Sequence, residues 1–256
     1  MKRRQLFEFE DQSWLPSPVR SGITDFLQHI SHMGNPLASV IPLLAEAMRE
    51  TGYTDVLDMC SGGGGGMLKV QAGLEEALAQ PTRITLSDKY PNIAAFEMIQ
   101  QSSDGKILFE REPIDAKQVP AHKQGFRTMF RAFHHFPEAD ARGILQNAAE
   151  QNVPIAIFEQ TERSWQSARK ASLFILLGVF TMAPAIRPRK ASRFLLTYLL
   201  PVIPFCIWWD GMASIMRTYT LPELQRMADV VNAPHYTWQV GDTGRVTYLI
   251  GIPKQA

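Results

Sequence analysis

The 256-residue chain has little of what several protein classes require. Its two cysteines, Cys60 and Cys206, are too few for a disulfide framework or a cysteine metal cluster, so we expect no metal centre. A net charge of +1 argues against a nucleic-acid partner. The basic residues 1–5 are followed by acidic residues rather than by an apolar run, which predicts no signal peptide and a cytoplasmic location.

The composition predicts a folded chain with a substantial core. Apolar residues make up 45% of the sequence and charged residues 20%. No internal repeat is detectable. We expect a single domain over residues 1–256, with a helical N-terminal cover over residues 1–50 and an apolar lid or insertion over residues 164–217.

The most informative stretch is the run of glycines at residues 62–66. It follows an apolar segment, residues 53–57, that predicts a buried strand, and it precedes residues 67–79, whose apolar side chains have helical spacing. A strand, a glycine turn and a helix form the nucleotide-binding corner of doubly wound α/β proteins, where glycine lets a ligand approach the backbone. The alternative is a flexible linker, which a strand and an amphipathic helix rarely flank.

Two common nucleotide motifs are missing from this corner. The dinucleotide pattern G-x-G-x-x-G fails in every register, and no Gly-Lys-Ser/Thr phosphate loop follows the glycines. The stretch instead resembles motif I of the class I S-adenosylmethionine (SAM)-dependent methyltransferases, Asp-x-Gly-x-Gly-x-Gly, with Cys60 where that family usually has its first glycine. The resemblance implies that SAM is the cofactor and that the residues holding it include Asp58, Cys60, Ser61, Gly62 and Gly64.

The second predicted strand adds an acidic residue at the expected distance. Residues 83–87 predict a strand, and Asp88 follows it, 24 residues beyond Gly64. The resemblance implies that Asp88 accepts hydrogen bonds from both ribose hydroxyls, a task suited to a carboxylate with two acceptor oxygens. The alternative is an aspartate in a surface turn.

Four more residues complete the expected cofactor site. Asp115 follows a third predicted strand, residues 106–109, and the resemblance implies that it lies beside the adenine amino group, with Ala116 as a backbone contact. A helix N-cap or a turn is an equal alternative for Asp115. Lys89, next to Asp88, and Arg131, directly after the fourth strand, are the other two candidates.

The remaining periodicities complete a seven-strand pattern. Four further strands are predicted at residues 126–130, 154–158, 236–240 and 246–252. A helix is predicted between the first two of these strands, at residues 137–150. We expect an α/β fold, with a seven-stranded doubly wound, mostly parallel sheet that ends in an antiparallel hairpin. N-terminal helices are expected over residues 21–33 and 36–50, and a helical apolar insertion after strand five. The resemblance covers residues 36–160 and 218–256.

The candidate catalytic residues follow strands four and five. His134 and His135 come after strand four, where small-molecule methyltransferases often carry a histidine pair, and histidine is suited to act as a base near neutral pH. The alternative is that one histidine caps the next helix and the other packs against the sheet. Glu159 ends strand five and is expected to point into the crevice. Its alternative is an ion pair with Arg131 or Arg163.

Two apolar segments distinguish the predicted insertion. Residues 171–185 and 194–209 carry no charge, and basic residues lie between them. Each segment is shorter than the roughly 20 residues that a bilayer-spanning helix needs. The alternatives are a lid over an apolar substrate chamber, a shallow membrane hairpin, a two-pass membrane hairpin and ordinary helical core. We favour the lid, with peripheral membrane contact through residues 171–209.

The candidate acceptor contacts are mostly aromatic, and five of the seven lie at the end of this insertion or directly after it. The alternative for them is that the tryptophans pack and that Asp210 pairs with Arg217. The expected contacts are Trp14, Phe133, Trp208, Trp209, Asp210, Arg217 and Tyr219.

We therefore expect a SAM-dependent methyltransferase that acts on a small, largely apolar or aromatic acceptor. The chain has no Asn-Pro-Pro-Tyr-type motif after strand four, which argues against a nucleobase or glutamine acceptor. Two alternatives belong to other classes: a SAM-binding protein without methyl transfer, and a membrane-associated protein acting at a lipid surface. A nicotinamide-dependent dehydrogenase is weaker, because the glycine spacing fails.

Overall fold

The computed structural model describes residues 1–33, 37–231 and 233–254. The chain divides into two compact units, one formed by Met1–Gly34 with Thr161–Tyr219 and the other by Asn35–Gln160 with Thr220–Ala256. The expected apolar insertion therefore shares a unit with the N-terminal residues. The assignment of residues 1–256 to one domain stays a prediction.

Nine α-helices occur in the described part of the chain. They are α1 (Ser17–Met33), α2 (Ile41–Thr51), α3 (Met67–Leu78), α4 (Ile93–Ser102), α5 (Glu138–Glu150), α6 (Trp165–Met182), α7 (Ala191–Phe194), α8 (Val202–Arg217) and α9 (Leu221–Val230). Short 3₁₀ turns lie at Ala38–Val40, Ala116–Gln118 and Phe133–His135, and a π-helical segment lies at Leu195–Leu199. The helix predicted over residues 36–50 corresponds to α2 and the turn before it, while its first residue, Pro36, lies outside the described residues.

A seven-stranded sheet forms the centre of the second unit. Its strands are β1 (Asp55–Asp58), β2 (Arg83–Leu86), β3 (Ile107–Phe109), β4 (Phe126–Phe130), β5 (Ile155–Glu159), β6 (Tyr236–Asp242) and β7 (Thr247–Pro253). The strand order is β3-β2-β1-β4-β5-β7-β6. The first five strands are parallel, and β7 runs antiparallel to both β5 and β6. The predicted parallel sheet with a C-terminal antiparallel hairpin is confirmed.

The core of the second unit lies between this sheet and the helices α2 and α3. The central strands β4 and β5 are buried on both faces, and their side chains are apolar apart from Arg127, Thr128 and Glu159. Val56, Ile84, Phe126 and Phe158 are completely or almost completely buried in this cluster, together with Leu74 of α3. Each such side chain contributes about 1.5–3 kcal/mol by leaving water, and this packing fixes the strand ends where the candidate site lies.

The first unit is helical, and its core joins α1, α6 and α8. Ile23 and Phe26 pack in one cluster with Val179 and Ile203. Asp25 of α1 anchors a second contact, because its carboxylate binds Lys190 Nζ at 2.8 Å and Arg193 Nη1 at 2.7 Å. Arg193 is only 2% exposed, so this ion pair neutralises a buried cation that would otherwise destabilise the unit.

No single helix among the described residues is both long enough and apolar enough to cross a membrane. Ala191–Leu199 and Val202–Arg217 pass the test of length and composition only as a pair, and the chain bends by 75° between them.

Candidate functional site

The candidate site begins at Asp58, the last residue of β1. The strand register places Asp58 opposite Thr128 of β4, and Thr128 Oγ1 donates to one carboxylate oxygen at 2.9 Å. Ser61 Oγ donates to the other oxygen at 2.7 Å. Burial raises the pKa of Asp58 to about 7, although both hydroxyls oppose the shift by stabilising the charged form. Asp58 therefore ties the start of the glycine run to two strands.

Cys60 has the backbone conformation of the glycine that it replaces. Its φ is +56°, in the left-handed region that costs an ordinary residue about 1–2 kcal/mol. Burial raises the pKa of its thiol, so the side chain is a neutral, half-buried group. The geometry explains why the methyltransferase motif favours glycine at this position, and it shows that cysteine is accommodated here.

The next glycines have two different reasons to lack a side chain. A Cβ atom built on Gly62 or Gly63 would meet no other atom within 4 Å, so the loop borders open space there. A Cβ atom on Gly64 would lie 2.4 Å from Ile99 Cδ1, and φ at Gly64 is +66°. Gly64 is thus needed for packing, whereas Gly62 and Gly63 leave the backbone accessible to a ligand.

Asp88 lies directly against this loop. The backbone N–H of Gly62 donates to Asp88 Oδ2 at 2.9 Å, and the N–H of Tyr90 donates to Oδ1 at 2.8 Å. Each oxygen of an ionised carboxylate has two lone pairs, so both can accept a further hydrogen bond. The structure brings together the two residues that the sequence assigned to the same nucleoside, although 26 positions separate them.

Asp115 caps a short turn, which is the alternative to a contact with adenine. Its side chain accepts the N–H of Lys117 and caps the turn Ala116–Gln118, and it also pairs with Lys89 Nζ at 2.9 Å. Burial opposes ionisation, but Lys89 and the cap hold the pKa of Asp115 below its usual value. The segment lies near Asp88, because Ile114 N donates to the Asp88 carbonyl at 2.9 Å. Its contact with adenine stays a prediction.

Arg131 places a cation beside the glycine loop. Its φ is +56°, and its guanidinium donates to the Gly65 carbonyl at 3.3 Å. Burial lowers the pKa of Arg131, while the carboxylates of Glu159 and Asp58 oppose that shift. Arg131 therefore reaches across from the end of β4 to the loop that follows β1.

His134 and Glu159 form a buried pair at the ends of β4 and β5. The backbone N–H of His134 donates to Glu159 Oε1 at 3.0 Å, and His134 Nδ1 lies 2.8 Å from Oε2. Burial raises the pKa of Glu159, but the ring and backbone N–H of His134 reverse the effect, so the net pKa is below its usual value. The Arg131 side chain donates to the Gly65 carbonyl, and the ion pair of Glu159 with Arg131 or Arg163, the alternative that the sequence allows, stays a prediction.

The histidine pair forms a short turn rather than a helix cap. His134 and His135 lie in the 3₁₀ turn Phe133–His135, with ring centroids 4.4 Å apart. Phe133 and His134 are buried. The buried turn holds the His134 ring against Glu159, and the roles of all three residues in binding or catalysis stay predictions.

The candidate acceptor contacts in the first unit mostly hold that unit together. Trp209 Nε1 donates to the Phe7 carbonyl at 2.9 Å, and Asp210 accepts the backbone N–H groups of Phe9 and Glu10 at 2.6 and 3.1 Å. These contacts fasten the N-terminal segment to α8.

Four other members of this predicted set have equally local surroundings. Trp208 Nε1 donates to Ser172 Oγ, and Arg217 Nη1 lies 3.1 Å from the Glu8 carboxylate. Tyr219 is buried beneath the guanidinium of Arg3 at 3.9 Å, whereas Trp14 is exposed. Their contact with an acceptor stays a prediction.

No protein-family model matches the sequence, and no curated protein matches it significantly. Solved structures do match. The plantazolicin methyltransferase in complex with S-adenosylhomocysteine (SAH) has a TM-score of 0.54 at 12% identity, with 96% of this chain and 94% of that chain covered. Human N-acetylserotonin methyltransferase in complex with SAM has a TM-score of 0.51 at 11% identity, with coverages of 93% and 56%. The chain thus spans little more than half of the human enzyme.

The fold is that of the class I SAM-dependent methyltransferases. In this fold the candidate residues lie at the carboxyl ends of parallel strands, where ligands bind in open α/β sheets. A further structure of the plantazolicin methyltransferase holds SAH together with a monoazolic desmethylPZN analog, at a TM-score of 0.54 and 11% identity.

Sequence reasoning missed Thr128 and Ser87. Thr128 contacts Asp58 only because β4 lies beside β1, and no local pattern reveals that neighbour. Ser87 Oγ donates to the Asp58 carbonyl at 2.8 Å across the β1–β2 pair. The polar pair Arg127 and Thr128 interrupts the apolar residues of β4, and this interruption is the one signal that would have pointed to Thr128.

The raised pKa of Asp58 predicts a pH-dependent stability. Its folded value of about 7 lies above its ordinary value of 3.8, so the folded state keeps a proton that the unfolded chain releases between these values. The contribution of protonated Asp58 is therefore complete below about pH 4 and is lost as the pH rises towards 7. We expect Asp58→Asn to flatten the fall in the free energy of unfolding across this interval, measured by urea denaturation. The exposed control Asp104→Asn should keep the original slope, and equal slopes for all three proteins would contradict the assignment.

Proposed function

We propose that the chain is a SAM-dependent methyltransferase that acts on a small, largely apolar acceptor. The observation that carries the proposal is the contact between Gly62 N–H and the Asp88 carboxylate, at a loop whose backbone borders open space. Binding a nucleoside requires such a surface, in which an accessible glycine backbone lies beside a carboxylate that can accept further hydrogen bonds. The class I methyltransferase fold of the chain supports the same conclusion.

The residues around the loop fit the chemistry of SAM. Asp88 offers acceptors for ribose hydroxyls, while Gly62 and Gly63 offer accessible backbone. Arg131, beside Gly65, offers a cation suited to a carboxylate such as that of the methionine moiety. Asp58 positions the loop rather than the ligand, because both of its carboxylate oxygens already accept hydrogen bonds from hydroxyl groups. When bound, SAM supplies an electrophilic methyl group on a good leaving group.

The His134–Glu159 pair is suited to remove a proton from the acceptor. When His134 Nδ1–H donates to Glu159, the other ring nitrogen, Nε2, carries no proton and is the atom that would accept one, although it is buried in this structure. Glu159 then fixes the ring and balances the positive charge that appears on His134 as it takes up the proton. Because the pKa of Glu159 is lowered, the carboxylate is charged at neutral pH and can perform this task.

The preference for an apolar acceptor rests on composition and on the related fold. Residues 171–185 and 194–209 carry no charge, which suits a lipophilic or aromatic molecule better than a highly charged one. The plantazolicin methyltransferase, solved with a monoazolic desmethylPZN analog, and N-acetylserotonin methyltransferase share the fold. With a hydroxyl acceptor, the proton goes to His134 Nε2 and the oxygen receives the methyl group.

Cofactor binding is testable by calorimetric titration with SAM and SAH. We expect the protein to bind both ligands and Asp88→Ala to weaken each by about 2 kcal/mol, the scale of lost charge-assisted hydrogen bonds. The control Asp55→Ala removes a carboxylate at the opposite end of the sheet, where β1 begins, and should bind like the original protein. Absence of binding by the original protein, or equal affinity after Asp88→Ala, would contradict the proposal.

The role of Glu159 is testable once a panel of phenols and aromatic carboxylic acids yields an acceptor. We expect Glu159→Gln to slow the formation of SAH by about 100-fold, within the range of general-base effects, while the affinity for SAM stays the same. The exposed control Glu138→Gln should retain full turnover. Unchanged turnover in Glu159→Gln would exclude the pair from catalysis, and SAM binding without any methylated product would favour the SAM-binding alternative.

A further inference from the structure

The helix α6 is apolar on two opposite faces. Ile175, Gly178, Val179 and Met182, spaced as one helical stripe, face the core of the first unit. A second stripe of the same spacing, at residues 173, 176, 177 and 180, consists of leucines and a phenylalanine and is exposed. A helix that is apolar all round is normally buried on all sides or placed in lipid. The outer stripe therefore lacks the surroundings that its composition requires.

This exposed stripe continues onto the segment that follows α7. Tyr198 Oη donates to the Phe180 carbonyl at 2.5 Å, and the two rings lie 6.0 Å apart. Beyond this contact Leu199 is 72% exposed, and Leu200 and Phe205 are also exposed. We call the surface formed by the outer stripe of α6 and by residues 195–205 the apolar face. Continuous exposed apolar surfaces of this kind mark sites of interaction.

The charged residues of the segment that carries the apolar face are all basic. Residues 163–209 contain seven Lys and Arg residues, whereas all 25 Asp and Glu residues of the chain lie outside this stretch. Lys190 and Arg193 are bound to Asp25 within the unit. Arg169 at the start of α6, and Arg187 and Arg189 in the loop after it, are exposed to solvent. Cations thus flank the face near both ends of the helix.

We propose that the apolar face docks this protein onto a bilayer that contains anionic lipids. Apolar side chains that enter the acyl boundary, flanked by exposed Arg and Lys, are the chemistry of interfacial membrane binding. The flanking cations match the negative surface of such a membrane. A partner protein or a second copy would cover the apolar area but would give no reason for the absence of acidic residues from residues 163–209. This inference does not depend on the proposed methyltransferase activity.

The test is cosedimentation of the full chain with vesicles of phosphatidylcholine alone or mixed with phosphatidylserine. We expect binding to the mixed vesicles and weaker binding to the neutral ones. Leu177→Glu with Leu199→Glu should abolish binding, because both side chains would carry charge into the acyl boundary. Arg187→Ala with Arg189→Ala should weaken binding to the mixed vesicles by about 30-fold, the effect of about 1 kcal/mol for each cation, and should leave the neutral vesicles unaffected.

Matched controls come from the second unit. Met98→Glu with Val230→Glu replaces side chains of similar exposure, and Arg226→Ala with Arg245→Ala removes two other exposed cations. Both should bind like the original protein. If circular dichroism shows that Leu177→Glu with Leu199→Glu does not fold, the outcome is decided by Arg187→Ala with Arg189→Ala. The proposal is overturned if the original protein stays in solution with both vesicles, or if ultracentrifugation shows a dimer that Leu177→Glu with Leu199→Glu dissociates while neither protein binds lipid.

Discussion

The candidate site depends on one buried carboxylate, that of Asp58. Its two oxygens accept hydrogen bonds from the hydroxyl groups of Ser61 in the glycine loop and of Thr128 on the neighbouring strand β4. Its carbonyl accepts both the N–H and the hydroxyl of Ser87 at the end of β2, each at 2.8 Å. One residue thus joins three strands to the loop. This fixed loop allows the Gly62 N–H to meet Asp88, and the whole cofactor proposal follows from that contact.

The sequence predicted the fold well because the signals for it are local. Buried parallel strands appear as short apolar runs, and the hairpin of β6 and β7 appears as two such runs around a polar loop. The glycine loop and Asp88 were predicted for the same reason, since each directly follows a strand. Contacts across the sheet carry no such signal. Glu159 binds His134, whereas the Arg131 side chain donates to the Gly65 carbonyl. The direction of the Arg131 side chain depends on a backbone φ of +56°, which the sequence does not predict.

The first unit shows how a functional and a structural reading of the same residues diverge. Trp209, Asp210 and Arg217 are polar or aromatic groups near an apolar segment, which is the pattern of a binding site. In the structure their polar atoms are engaged by Phe7, by Phe9 and Glu10, and by Glu8, respectively. The energy of these contacts holds the N-terminal segment on α8. The apolar surface that remains without such neighbours lies on α6 and residues 195–205, and it gives the stronger functional signal in this unit.

The most direct test of the central claim is a crystal structure of the protein soaked with SAH. We predict that the nucleoside lies along Gly62 and Gly63, with its ribose hydroxyls donating to the Asp88 carboxylate, and that the Asp58 side chain stays bound to Ser61 and Thr128 without touching the ligand. SAH bound elsewhere, or bound at the loop with its ribose away from Asp88, would contradict the account.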